Sequence, residues 1–176
     1  MLLLSGRVHW KKVWGRVLGG LPRVPGCNVV IAGKDEEHLT PKWVAQAVKA
    51  GVRERISLVG PVYGEGKATL LGRALLLVLP SYSENFGNVV IEAMAAGCPV
   101  VVTREVGAAD IVRESAGGAV LEGDPAALAE GICQLLSDPA ALERMGQRGR
   151  DFVRHRYTWE AVSLKTEEAY TRAIAS

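Results

Sequence analysis

The sequence predicts an α/β protein: a doubly wound parallel sheet of about six strands, followed by C-terminal helices. Three observations carry that reading. Six short aliphatic runs show no polar alternation, as expected of strands covered on both faces. Segments with helical periodicity separate most of them. Glycine is frequent, at 20 of 176 residues, and often falls where a run ends, which suits tight strand–helix turns.

The first run, Leu2–Leu4, leads into Ser5-Gly6-Arg7. Val13–Val24 should be the first crossover helix, but Gly15, Gly19, Gly20 and Pro22 are poor interior residues, so a short or frayed helix is expected. The second run, Asn28–Ala32, ends at Gly33, and Lys42–Ala50 carries Val44, Ala47 and Val48 at helical spacing. The third run is Ile56–Gly60, and Gly66-Lys67 then opens a helix. The fourth, Leu75–Leu79, stops at Pro80-Ser81. Asn88–Ala96 reads as a helix with Gly97 as its C′ residue. The fifth and sixth runs, Pro99–Thr103 and Gly118–Glu122, follow with no helix read between them. Asp124-Pro125 and Asp138-Pro139 each pair an N-cap with an N1 proline. Leu128, Ile132 and Leu135 form one apolar stripe. Thr158 reads as the cap of a last helix reaching about Ile174.

Residues 1–176 read as a single domain without linker or repeat. The 21 basic and 19 acidic residues sum to +2, which argues against a nucleic-acid partner. Cys27, Cys98 and Cys133 form no CxxC pair, so a disulfide framework or zinc site is not expected and a reducing compartment fits. The longest apolar run, Ala74–Leu79, is far too short to span a bilayer, and a soluble cytoplasmic protein is expected. The stretch after the third run misses the P-loop pattern, with Pro61 for its first Gly and Ala68 for its Ser or Thr. No GxGxxG follows the first run, so a dinucleotide oxidoreductase is not supported. The histidines show no metal-ligand spacing. Five arginines between Arg144 and Arg156 read as a solvated helix face, with weak peripheral membrane contact left open.

In such sheets, ligands bind at the carboxyl ends of the strands. The segment after the fourth run, Ser81–Pro99, is the most informative there. Glu84 falls in a loop, and Gly87-Asn88 falls where a helix opens, so free backbone N–H groups there suit a phosphate. Glu92 lies about one turn further, flanked by Val89, Val90, Ile91, Ala93 and Met94. A carboxylate in so apolar a helix needs partners, and ribose hydroxyls would serve. Read singly, Glu84 is a solvated loop residue and Glu92 an outward one. Lys67 is equally a phosphate contact or a solvated helix-start residue.

The whole string changes the balance. Seven residues separate Glu84 from Glu92, Asn85-Phe86-Gly87 follows the first, and Ala93-Met94-Ala95-Ala96-Gly97-Cys98-Pro99-Val100-Val101 follows the second. This resembles the E-x7-E signature of group 1 (family 4) glycosyltransferases. Pro80-Ser81, Thr103, Ala32-Gly33, Leu58-Val59-Gly60, Thr158-Trp159 and the pair Arg7 and Lys12 also match, over essentially the whole chain. The sequence departs from the family at Val13, where Gly is usual after the lysine, and at Leu75, where Asp is common.

The resemblance implies a Rossmann-like domain that is one half of a GT-B fold: the C-terminal, nucleotide-sugar-binding half, with the N-terminal acceptor domain absent. It implies retaining hexosyl transfer, without a metal or other cofactor, to an unidentified acceptor such as a cell-surface polysaccharide or glycolipid. Catalytic roles would fall to Glu84, Arg7 and Lys12, the last two neutralising the departing diphosphate. Donor binding would involve Gly6, Val59, Lys67, Glu84, Asn85, Phe86, Gly87, Asn88, Val89 and Glu92. Glu84 would hold the sugar, Glu92 the ribose, and the backbone at Val59 the base. The chain alone is expected to be inactive and to need the missing domain in cis or in trans. The alternative is a non-catalytic or split nucleotide-sugar-binding module.

Overall fold

The structure, a computed structural model, describes residues 1–7, 9 and 14–174. Six strands run parallel in one sheet: β1 (Leu2–Ser5), β2 (Val29–Ala32), β3 (Ile56–Gly60), β4 (Leu76–Leu79), β5 (Val100–Thr103) and β6 (Gly118–Leu121). Their order is β3-β2-β1-β4-β5-β6. The chain thus leaves β1 toward one edge, returns to the centre at β4 and continues toward the other. Leu2 pairs with Val29 on one side and Leu76 on the other.

Eight helices accompany the sheet among the described residues: α1 (Trp14–Gly20), α2 (Thr40–Lys49), α3 (Gly64–Arg73), α4 (Asn88–Ala95), α5 (Ala109–Ser115), α6 (Pro125–Leu136), α7 (Pro139–Arg156) and α8 (Trp159–Ile174). Alternation along the strands separates two cores. Leu2, Leu4, Leu76, Val78 and Val101 point to the face holding Trp14, Leu18, Trp43 and Leu128, on α1, α2 and α6. Leu3, Leu77, Leu79, Val100 and Val102 point to the face holding Leu71, Val90, Met94, Val112 and Val153, on α3, α4, α5 and α7. The central strands therefore have two apolar faces, as their uninterrupted runs require.

Two expectations are corrected. A helix, α5, does join β5 to β6. Those strands pair in parallel, Val100 with Gly118 through Thr103 with Leu121, and parallel neighbours need a crossover rather than a hairpin. The helix is only seven residues long, too short for a sustained periodic signal. The third run is not covered on both faces. β3 is an edge strand, with Leu58 and Val59 exposed.

The glycine-dotted first helix is short, as expected, and continues as one 3-10 turn, Leu21–Arg23, at Pro22. Its glycines have a packing reason. A Cβ on Gly20 would overlap the carbonyl oxygen of Pro125, and one on Gly15 would meet Gln46 Oε1 at 3.3 Å. Small residues here let α1 press against α6 and α2, with Trp14 fully buried 4.9 Å from the Trp43 ring. Arg55 then ties the following loop to the sheet, donating to the carbonyls of Leu21, Val24 and Cys27. Helix α2 starts two residues earlier than the spacing suggested. Asp35 accepts from the amides of Leu39 and Thr40, both at 2.9 Å, and caps its start.

The predicted aspartate caps form: Asp124 accepts from Ala126 and Ala127, and Asp138 from Ala141. Thr158 caps α8 through the Ala161 amide. Gly20 and Gly72 offer opposite outcomes. Gly20→Ala must displace the Pro125 backbone and should cost about 1–3 kcal/mol. Gly72 lies in α3 with nothing within 4 Å of an added Cβ, so Gly72→Ala should stabilise by about 0.5–1 kcal/mol. Urea unfolding of both variants measures this; equal stabilities would contradict the close α1–α6 packing.

Candidate functional site

The point where strand order turns is the gap between β1 and β4, and their carboxyl ends carry the loops of interest. After β1, Gly6 donates its amide to the Ala32 carbonyl at 3.0 Å, so the loops after β1 and β2 touch. A Cβ at Gly33 would overlap the Gly6 carbonyl oxygen. Arg7 follows, exposed, with its guanidinium 3.4 Å from Glu36. Glu36 follows Asp35 in the loop that caps α2. Burial pushes the Asp35 carboxyl up, but hydrogen bonds from Thr40 and Leu39 outweigh it, and the net shift is downward. Lys12 and Val13 lie outside the described residues.

After β4, the chain is held by a clasp from the loop after β5. Thr103 is fully buried, and its hydroxyl donates to the Ser81 carbonyl at 2.7 Å. Glu84 forms an isolated parallel bridge with Val106. Its amide donates to the Glu105 carbonyl at 3.3 Å, and its carbonyl accepts from Gly107 at 2.8 Å. A side chain at Gly107 would strike the Asn85 carbonyl. The backbone at Glu84 is therefore fixed from the loop after β5, with the side chain half-buried. Asn85 and Phe86 are exposed on the same loop.

Gly87 turns this loop into α4. It is left-handed, with φ 89°, and caps the helix without a side-chain hydrogen bond. Its own carbonyl accepts from Val90 at 2.8 Å. The first-turn amides at Asn88 and Val89 lie at the positive end of the helix dipole, next to Glu84. Asn88 is exposed and Val89 buried.

Glu92 stands one turn into α4. The sequence demanded a partner for it, and Lys67 supplies one: Nζ lies 2.5 Å from Oε2, with both side chains partly exposed. Lys67 sits in the first half of α3, so the ion pair ties α3 to α4. Val59 is exposed near the end of β3, whose outer edge has no neighbouring strand among the described residues. The structure thus joins Lys67 to Glu92 and sets Glu84, Gly87 and Asn88 on one short loop and helix start. It pairs Arg7 with Glu36 instead. The Glu105–Gly107 clasp and Glu36 were not among the residues expected from the sequence. Gly107, following directly on the fifth run's loop, was the one available signal. Among the described residues, no group of three His, Cys, Asp or Glu side chains could hold a metal ion. Cys98, behind α4, is buried, and burial pushes its thiol up to about 12. It is a packing residue.

The loops therefore offer carboxylates for hydroxyl donors, and a helix terminus for an anion, side by side. Known proteins share the sequence and the fold of this chain. The family model described as "Glycosyl transferases group 1" matches residues 1–152. The chain is 32% identical over 178 aligned residues to the glycogen synthase of Mycobacterium tuberculosis, covering 98% of this chain and 42% of that protein. The sucrose-phosphate synthase of Thermosynechococcus elongatus superposes with a TM-score of 0.87 at 28% identity, over 99% of this chain and 45% of the other. The Anabaena protein HepE, solved in complex with UDP and glucose, superposes with a TM-score of 0.86 at 21% identity, over 98% and 47%. At that identity the likeness is one of fold. The chain spans less than half the length of these relatives.

The clasp is open to a direct check. Thr103→Val removes a buried donor and leaves the Ser81 carbonyl without it, which should cost about 1–3 kcal/mol in chemical unfolding. Thr103→Ser keeps the hydroxyl and should recover part of that loss. A Val variant as stable as the parent chain would contradict a structural role for this hydrogen bond.

Proposed function

The chain belongs to the group 1 glycosyltransferases, and from that premise we propose that it binds the nucleotide-sugar donor of a retaining glycosyl transfer, as the C-terminal half of a two-domain GT-B enzyme. The observation that carries this is the juxtaposition of Glu84, the open N-terminus of α4 and Glu92 at the carboxyl end of β4, where the strand order turns. Glu84 accepts from hydroxyls of the transferred sugar. Amides at Gly87, Asn88 and Val89, beside Asn85 and Phe86, face the sugar and phosphates. Glu92 accepts from the ribose, oriented by Lys67. The backbone at Val59, on the open edge of β3, reads the base.

In the reaction, the bond from the anomeric carbon to the diphosphate breaks as the acceptor oxygen attacks on the same face. The acceptor's proton leaves with the diphosphate. Negative charge grows on that leaving group, and the charges of Arg7, which follows Gly6, and of Lys12 stabilise it without a metal. The Arg7–Glu36 pair is exposed and worth under about 1 kcal/mol, so it yields readily to a diphosphate. The acceptor, which this reading leaves unnamed, is held mainly by the second domain, in cis or in trans. The relatives, more than twice as long, support this division. A cytoplasmic setting, with weak peripheral membrane contact, belongs to the same proposal. No described helix is long and apolar enough to cross a membrane, and all three cysteines are free thiols.

Calorimetric titration with UDP, GDP and ADP tests the reading. One of them should bind, and Glu92→Ala should weaken it about 10- to 100-fold, the worth of charged hydrogen bonds. No binding of any at millimolar concentration, or binding untouched by Glu92→Ala, would overturn it. Incubation with the corresponding nucleotide sugar should give no transfer; turnover by these residues alone would contradict the two-domain division.

A further inference from the structure

A second concavity lies at the same end of the sheet but on its other side. It is an open groove of about 770 Å³ between the starts of α1 and α6, lined by Arg16, Tyr82, Glu105, Glu122, Gly123 and Asp124 among others. Helices α1 and α6 pack on one face of the sheet, and α3 and α4, which carry Lys67 and Glu92, on the other. The loop from Ser81 to Gly87 separates the two. Tyr82 precedes Glu84 by two residues, and the backbone of Glu105 fixes Glu84.

Arg16 is the unusual member. Its guanidinium carbon lies 3.7 Å over the Tyr82 ring. A Cβ on Gly123 would collide with its Nη1, so the glycine makes room for it. That Nη1 is buried and has no hydrogen-bond partner among the described residues, which is costly for a charged donor. Across from it stand carboxylates with capacity to spare. Glu105 has no ion pair among the described residues. Among the described residues, Glu122 is paired only with exposed Arg104, a weak attachment in water. Asp124 uses Oδ2 to cap α6, through Ala126 and Ala127. Tyr82 is about half exposed.

The chemistry selects the ligand. Three carboxylates repel a phosphate or a carboxylate, and their charge does not suit a wholly hydrophobic ligand. A hydroxyl group both accepts from an arginine N–H and donates to a carboxylate, and the face of Tyr82 that Arg16 leaves uncovered can take the apolar face of a sugar ring. We infer that this groove is a carbohydrate site, which takes a neutral, polyhydroxylated stretch of the acceptor beside the donor loop. The inference rests on the donor reading for its role in transfer, but not for binding itself.

Maltotriose, inorganic phosphate and UDP, titrated separately into the ¹⁵N-labelled chain, test it. Maltotriose should shift the amides of Arg16, Tyr82, Glu105 and Gly123 at millimolar concentration. Arg16→Met, which keeps the packing but removes the donors, and Tyr82→Ala should each weaken maltotriose about tenfold and leave UDP affinity within about twofold. Failure of maltotriose to bind while UDP binds, shifts confined to α3 and α4, or phosphate displacing maltotriose from the groove would each overturn the inference. Maltotriose binding without UDP binding would uphold the groove and remove the donor reading instead.

Discussion

The pairing of β1 with both β2 and β4 is the constraint on which the rest depends. The chain could have laid each strand beside the last. Instead it builds β1, β2 and β3 outward to one edge, then inserts β4 at the other side of β1. Loops after β1 and β4 therefore diverge to opposite faces and leave a crevice between them. β1 meets this demand with four buried residues, Leu2 through Ser5, which have helices over both faces. The site residues hang from the carboxyl ends of these two strands and of β3, from Gly6 after β1 to Glu92 after β4.

A crevice alone does not hold a carboxylate in place. Glu84 lies on a loop, and loops move unless something fixes them. Here the loop after β5 does so, through Thr103, Glu105 and Gly107, without using the Glu84 side chain. Glu92 is fixed differently, by a helix and by Lys67. The near-zero net charge of the chain thus leaves room for local groups of either sign: Glu84, Glu105 and Glu122 follow β4, β5 and β6, while Arg7 follows β1 and Lys67 lies on α3. This arrangement suits a ligand carrying both hydroxyls and phosphate better than a simple polyanion.

Much of this was legible in the sequence because it is local or periodic. All six strands sit within a residue of their aliphatic runs, and the aspartate–proline pairs cap α6 and α7 as read. The placement of Glu84 in a loop and of Glu92 one turn into α4 followed from the Gly87 helix start. What escaped is nonlocal. Helix α5 is too short to show a period and is demanded only by the parallel β5–β6 pairing. Exposure of Leu58 and Val59 depends on β3 being an edge, which no local pattern reveals. Gly15, Gly19 and Gly20 looked like faults in a helix until Pro125 and Gln46 appeared against them. The partners of Lys67 and Arg7 likewise come from 25 and 29 residues away.

The central claim is that the crevice beside β4, and not another surface, receives a nucleoside diphosphate. A crystal structure of the chain grown with UDP tests it most directly. The ribose hydroxyls should lie on Glu92, the diphosphate at the amides of Asn88 and Val89, and the base along Val59. UDP bound instead against α8, in the groove by Arg16, or on the far side of the sheet, with Glu92 still closed onto Lys67, would contradict it.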